Sequence, residues 1–113
     1  MTYEQIENLL AAAKKHAAQE TYAKGIVATW RKAENEQRYL SENFESIDCD
    51  EWLGRHAENE KTFKAVQMKV KHFFDMVYGK GNIFCANLKG RDCVEHYWAF
   101  EDFCRPIYPY IFN

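Results

Sequence analysis

The sequence has 113 residues, the length of one domain, and a net charge of −2 that excludes the strongly basic class of nucleic-acid-binding proteins. It contains no apolar run long enough to span a bilayer, which excludes a helical membrane anchor. The four cysteines fit no recognisable disulfide framework and no leader-like segment opens the chain, so we expect a cytoplasmic protein with reduced thiols.

The first 44 residues carry a helical pattern that begins with a capping box. Thr2 is a good N-cap, and Gln5 three residues later can bond back to it. One face of this predicted helix is apolar or small, so that a partner helix could approach it closely. That face consists of Ile6, Leu9, Leu10, Ala13 and Ala17. Gly25 interrupts the pattern at a cost of about 1 kcal/mol, which leaves open whether the segment is one helix or two.

The longest helical pattern runs from Asp48 to Gly81. Side chains recur there at alternating steps of four and three, which places them on one helix face. This stripe consists of Trp52, His56, Asn59, Phe63, Val66, Val70, Phe73 and Val77. Asp48 with Glu51 can cap the first turn, and a short connection makes this helix the antiparallel neighbour of the preceding one. A helix of about 30 residues is about 45 Å long, so we expect it to overhang the fold and to favour pairing of two copies.

The remaining elements are shorter. Residues 83–88 fit a short β-strand or a packed loop. Asp92 caps a further predicted helix, Cys93 to Cys104, which Pro106 ends, while a hairpin between residues 83–88 and 94–100 is the alternative. The predicted fold class is therefore mainly α, a single domain of residues 1–113 built as an antiparallel long-helix hairpin, or small helical bundle, with a C-terminal helix and a tail.

The chain ends in an apolar tail, residues 106–113, which its two prolines predict to be extended. Eleven of the eighteen aromatic residues lie in the last 41 positions, so the tail is expected to cover either the protein's own core or a partner. Because aromatic side chains are enriched at interface hot spots, Tyr108, Tyr110 and Phe112 are predicted contact residues.

Two polar residues, His56 and Asn59, lie within the long stripe. Such positions are typical of those that set register and copy number in helical assemblies. Together with Trp52 and Phe63 they form the predicted surface for self-association, and a homodimer is expected. Replacing Asn59 with leucine is expected to raise stability and to make the oligomeric state less defined.

Positive charge is concentrated in the segment 64–91. Residues 65–91 carry five basic residues against one acidic residue. Lys69, Lys71 and Lys80 are therefore predicted contact residues for a protein partner. The same segment, with its neighbouring aromatic rings, is the basis of an alternative function as a nucleic-acid-binding protein. Its phenylalanines are expected on the buried stripe, however, where they cannot stack on bases.

Cysteine and histidine spacing offers one candidate metal set, Cys85, Cys93, His96 and Cys104. Cys93 and His96 are three residues apart and share a helix face, but the set lacks the Cys-x2-Cys pair usual in structural zinc sites. Buried thiols are therefore expected, and no cofactor is predicted. The Cys93–His96 pair lacks a third group and an oxyanion donor, so we expect no enzyme.

These features favour a non-catalytic protein-binding module, a small inhibitor or adaptor that acts by occupying a surface of its partner. Nucleic-acid binding is the alternative, and a small zinc-binding protein is the third interpretation. The profile of a small chain without motifs is shared by accessory proteins of phages and mobile elements, including proteins that block a host defence component. That association rests on profile alone, because no residue motif supports it.

Overall fold

A computed structural model describes all 113 residues, which form four α-helices, a final 3₁₀ turn and no β-strand. The helices are α1 (Tyr3–Glu42), α2 (Cys49–Tyr78), α3 (Ile83–Leu88) and α4 (Cys93–Cys104), and the 3₁₀ turn spans Pro109–Phe112. The mainly-α fold class predicted from the sequence pattern is confirmed.

Helix α1 is one helix of 40 residues that continues through Gly25. Its predicted capping box is present, because the Gln5 N–H donates to Thr2 Oγ1 at 3.1 Å and the Thr2 N–H donates to Gln5 Oε1 at 2.8 Å. Nothing packs against Gly25 closely enough to require a glycine, since a Cβ built there meets no atom within 4 Å. The cost of about 1 kcal/mol at Gly25 is therefore not sufficient to divide a helix that caps and packs well elsewhere.

Helix α2 runs antiparallel to α1, as predicted. Near the turn between them, Trp52 Nε1 donates to the carbonyl oxygen of Leu40 at 2.9 Å. Farther along, the rings of Tyr22 and His72 lie 5.1 Å apart. Residues late in α1 thus contact residues early in α2, and residues in the middle of α1 contact residues late in α2. This is the pairing of an antiparallel helical hairpin.

Residues 83–88 form helix α3, so the predicted strand or loop is wrong, and so is the alternative hairpin with residues 94–100. The segment is helical because Asn82 acts as an N-cap: its side chain accepts a hydrogen bond from the Cys85 N–H at 2.9 Å, which stabilises the first helical turn. Helix α4 begins at its predicted cap, where Asp92 Oδ1 accepts from the Glu95 N–H at 2.8 Å.

The tail is not extended, which corrects the sequence-based prediction. The Tyr108 N–H donates to the Cys104 carbonyl at 2.7 Å, so the chain turns directly after α4. Pro109 then starts the 3₁₀ turn, where its fixed φ is compatible with a helical start. Tyr108 and Ile111 are buried, and the tail covers the protein's own core.

One hydrophobic core joins the middle of α1, the C-terminal half of α2, α4 and the tail. Its largest fully buried apolar side chains are Phe73, Phe74, Phe100 and Ile26. The molecule measures 67 × 27 × 21 Å, and the long dimension follows α1. The overhang therefore belongs to α1, whose residues 3–18 are all exposed. The predicted overhang of α2 is wrong, because α1 packs along that helix. No helix has both the length and the apolarity needed to cross a membrane.

Candidate functional site

An open cleft of about 550 Å³ lies between α1 and α4. Helix α4 packs mainly on α2 and reaches α1 through side chains, which leaves space between the two helices. The cleft is lined by Trp30, Arg31, Glu34, Gln37, Phe63, Cys93, Val94, Tyr97, Trp98, Glu101, Arg105 and Phe112. Its volume is within the range of sites that receive small molecules or single side chains of a partner.

The floor of the cleft consists of packed aromatic rings. Trp30 and Tyr97 are stacked, with centroids 4.4 Å apart and planes inclined by 7°. Phe63 meets the Trp30 ring edge-on at 5.1 Å. Trp30 and Tyr97 are both buried, and burial raises the pKa of the Tyr97 phenol to about 12. The floor is therefore uncharged at neutral pH and held rigidly by the core.

The walls of the cleft carry two arginines and two glutamates. The Arg31 guanidinium donates to the carbonyl oxygens of Phe112 and Asn113, which fixes the end of the chain. Arg105 donates to Glu101 Oε1 at 2.9 and 3.1 Å, and its guanidinium carbon lies 4.8 Å from the centre of the Phe112 ring. The walls thus combine charges of both signs with an aromatic edge.

Trp98 is the most exposed large aromatic residue of the cleft, at 60% of its surface. It lies on the acidic face of α4, where Glu95, Glu101 and Asp102 are its neighbours three and four residues away, while the opposite face enters the core. Neither Trp98 nor the two arginines was among the contact residues predicted from the sequence. The acidic residues at three- and four-residue spacing from Trp98 were the available signal that its side of α4 faces solvent.

The three predicted tail contacts differ in position. Tyr108 is buried, and its ring lies 5.2 Å from that of His16, so it is a core residue and not a contact residue. Tyr110 is half exposed on the surface of α1, where its hydroxyl donates to the Glu20 carboxylate. This bond lowers the pKa of Glu20 and raises the pKa of Tyr110 to about 12. Phe112 lines the cleft.

The predicted lysine patch does not form a single surface. Lys69 and Lys71 are two residues apart, and on a helix such residues point about 200° away from each other. Lys69 lies beside α1, whereas the Lys71 carbonyl contacts Cys85 of α3. Lys80 is exposed in the turn after α2. Phe73 is fully buried, as expected for the stripe, so this arrangement offers little to a nucleic-acid ligand.

Three of the four residues predicted for self-association, Trp52, Asn59 and Phe63, contact α1 of the same chain, while His56 is nearly half exposed. The Asn59 side-chain amide donates to the Ala33 carbonyl at 2.8 Å, while Phe63 packs on Trp30 as described above. Trp52 bonds to α1, and the His56 ring stacks on that of Trp52 at 5.1 Å. Asn59 and Phe63 are thus occupied inside the hairpin, which corrects their prediction as a dimer surface.

The candidate metal ligands do not converge, and no group of three potential ligands is close enough to hold an ion. Cys85 lies on α3, where its sulfur is 3.4 Å from the Lys71 carbonyl, and Cys104 is buried at the far end of α4 from Cys93. His96 is fully buried, with Nδ1 at 2.7 Å from the Asp92 carbonyl and Nε2 without a partner. The set is therefore distributed over separate parts of the fold.

The N-terminal arm, residues 3–18 of α1, is exposed along its whole length and contacts the rest of the molecule at its base, where His16 meets Tyr108. It carries the predicted apolar face, and Leu9 and Leu10 are each 57% exposed. The exposed large apolar residues of this segment are Tyr3, Ile6, Leu9 and Leu10. Their concentration on one short segment differs from an ordinary surface, where exposed apolar residues are scattered singly. Comparison with protein-family models, curated proteins and solved structures finds no significant match to this chain.

Proposed function

We propose that this chain is a non-catalytic protein-binding module that holds a segment of its partner in the cleft between α1 and α4. The observation that supports the proposal is the exposed Trp98 beside a rigid aromatic floor. Tryptophan, tyrosine and arginine are the residue types that most often dominate binding energy, and all three line this cleft. Occupation of a partner's surface in this way is how a small inhibitor or an adaptor acts.

The chemistry of the cleft indicates what kind of segment would fit. An apolar or aromatic side chain of the partner could cover Trp98 and reach the floor beneath it. The paired charges of Glu101 and Arg105 would then form a polar rim around that anchor. A peptide with one large apolar residue flanked by charged residues is therefore the expected ligand.

The thiol in the cleft supports a binding role. Burial raises the pKa of Cys93, and the neighbouring Asp92 carboxylate raises it further, so the group is a neutral thiol at pH 7. His96, the nearest histidine in the sequence, is fully buried with its Nδ1 bonded to the backbone. Neither residue has the environment of an activated nucleophile.

The test is selection of peptides from a random display library on the wild-type protein, followed by calorimetry with the selected peptides. Trp98→Ala is expected to weaken binding by roughly 30-fold, the loss typical of a hot-spot residue. Met68→Ala on α2 is the matched control, since Met68 is also strongly exposed but lies outside the cleft. Peptides that bind the Trp98→Ala variant as tightly as the wild type would place the binding surface elsewhere.

A further inference from the structure

The N-terminal arm extends beyond the part of α1 that the rest of the molecule covers. The pairing of Ala33 with Asn59 and of Tyr22 with His72 places Tyr78, the last residue of α2, opposite about residue 15. Only the base of the arm is contacted, where His16 meets the tail. Its exposed apolar side chains have no packing partner within the molecule, so the apolar side of the arm calls for one.

The apolar side of the arm follows the 3–4 spacing of a helix–helix seam. This arm seam consists of Tyr3, Ile6, Leu10, Ala13 and Ala17. The same spacing continues to Glu20 and Lys24, the two residues of α1 that hold Tyr110. The arm seam therefore leads, without a break, to the exposed aromatic ring of the tail.

Two charged residues flank one edge of the arm seam. Glu7 and Lys14 are seven residues apart, so they lie on the same edge, each one position after a seam residue. When two identical helices pair antiparallel about a two-fold axis, the same edge of each helix faces itself. Glu7 of one copy then meets Lys14 of the other, and the pair occurs twice. Parallel pairing sets this edge against the opposite edge, which carries Leu9 and His16.

We infer that two copies of this chain associate through their N-terminal arms, packed antiparallel with Leu10 and Ala13 beside the two-fold axis. In this register Leu10 packs on the partner's Ala13, and Ile6 packs on the partner's Ala17. Large residues meet small ones along the seam, which lets the helix axes approach to about 8 Å. Tyr3 ends beside Glu20 and Tyr110 of the partner.

The size of the interface predicts a weak, reversible dimer. The arms overlap over residues 3–20, a length of about 27 Å on helices about 10 Å wide, so roughly 270 Å² of each helix face, or about 540 Å² in total, is covered. This area is below that of a stable specific interface and is typical of a weak, transient one. A dissociation constant of roughly micromolar or weaker is expected, so the dimer should form only in concentrated solution.

The decisive experiment combines two charge reversals, followed by sedimentation velocity over a range of protein concentrations. Glu7→Lys alone and Lys14→Glu alone each place like charges together across the axis, so each is expected to weaken the dimer about tenfold. An equimolar mixture of the two variants restores both opposite-charge pairs and is expected to form a heterodimer. Parallel pairing predicts no such rescue.

Replacement of an apolar seam residue by a charged one tests the seam itself. Leu10→Glu is expected to give a monomer at every accessible concentration, because it places two carboxylates beside the axis. Leu53→Glu is the matched control, since Leu53 is 54% exposed on α2, outside the arm, and its replacement should leave the dimer unchanged. Trp98→Ala should also dimerise normally, which separates this inference from the proposed function of the cleft. A wild-type protein that stays monomeric at millimolar concentration, a dimer that tolerates Leu10→Glu, or a mixture without rescue would overturn it.

Discussion

The stacked pair of Trp30 and Tyr97 is the main side-chain bridge between α1 and α4, and its strength can be measured with a double-mutant cycle. The variants are Trp30→Leu, Tyr97→Leu and the combination of both. Leucine keeps an apolar side chain at each position but removes the ring. The cycle therefore isolates the interaction between the two rings from the general loss of buried surface.

The expected magnitudes follow from the geometry. A stacked pair with centroids 4.4 Å apart is expected to contribute about 0.5–1.5 kcal/mol beyond its buried area. Each single replacement should cost about 2–3 kcal/mol, less than the 3–5 kcal/mol of a replacement by alanine. A domain of this length has a free energy of unfolding of roughly 6–17 kcal/mol, so all three variants should fold. The double variant should lose about 1 kcal/mol less than the sum of the single losses.

Urea denaturation monitored by far-ultraviolet circular dichroism gives the four free energies of unfolding. A control cycle pairs Trp30→Leu with Leu40→Ala, because Leu40 is buried in the same helix about 15 Å away. That cycle should be additive to within about 0.5 kcal/mol. A Trp30–Tyr97 coupling no larger than that of the control would refute the role assigned to the stack.

Four further predictions concern individual side chains or pairs of them. Cys49 should react rapidly with an aromatic disulfide reagent and Cys104 only on unfolding, since Cys49 is exposed and Cys104 is buried; equal rates would contradict this. Burial raises the pKa of Tyr97 and of the Cys104 thiol to about 12, so the folded state keeps protons that the unfolded chain releases above about pH 9 to 10. The free energy of unfolding, measured by urea titration, should therefore decline between that pH and pH 12. A free energy that does not change over this range would contradict the raised pKa values of Tyr97 and Cys104. Asn59→Leu should raise the free energy of unfolding by about 1 kcal/mol, because burying leucine gains about 2 kcal/mol and the lost hydrogen bond to Ala33 costs about 1 kcal/mol. A lower free energy of unfolding in the variant would show that this hydrogen bond contributes more than the buried leucine. Gly25→Ala should raise the melting temperature by a few degrees, since no atom lies near its added methyl group, and a lower melting temperature would reveal a contact or a required bend.

Local signals predicted much of the fold. The caps at Thr2, Asp48 and Asp92 each begin the helix expected from them, because a side-chain oxygen needs only its neighbours along the chain to accept the bond. The antiparallel hairpin follows from the short connection between two long apolar patterns. The cap at Asn82 is the same kind of signal, but the segment after it has only six residues, five of them apolar, which is too short for its pattern to separate a helical turn from a strand.

The exposed N-terminal arm could not be predicted in the same way, because it depends on which helix extends past the other. Both long helices carry an apolar face, and only the register between them determines which end remains uncovered. A register two turns different would bring Leu10 within the span of α2 and uncover the last residues of α1 instead. The exposure of Trp98 agrees with the acidic residues on its face of α4, but its place in the cleft depends on where α4 docks, a long-range property that the pattern of α4 alone does not contain.

The continuity of α1 has a mechanical consequence. About 27 residues of a single helix separate the tip of the arm from Trp30 in the cleft, a distance of roughly 40 Å. No proline and no irregular turn interrupts this length, so the helix acts as a stiff spacer and not as a tether. Two molecules bound at the two ends of α1 would be held at a fixed separation and orientation. Each would raise the effective concentration of the other only if their binding sites for each other match that separation.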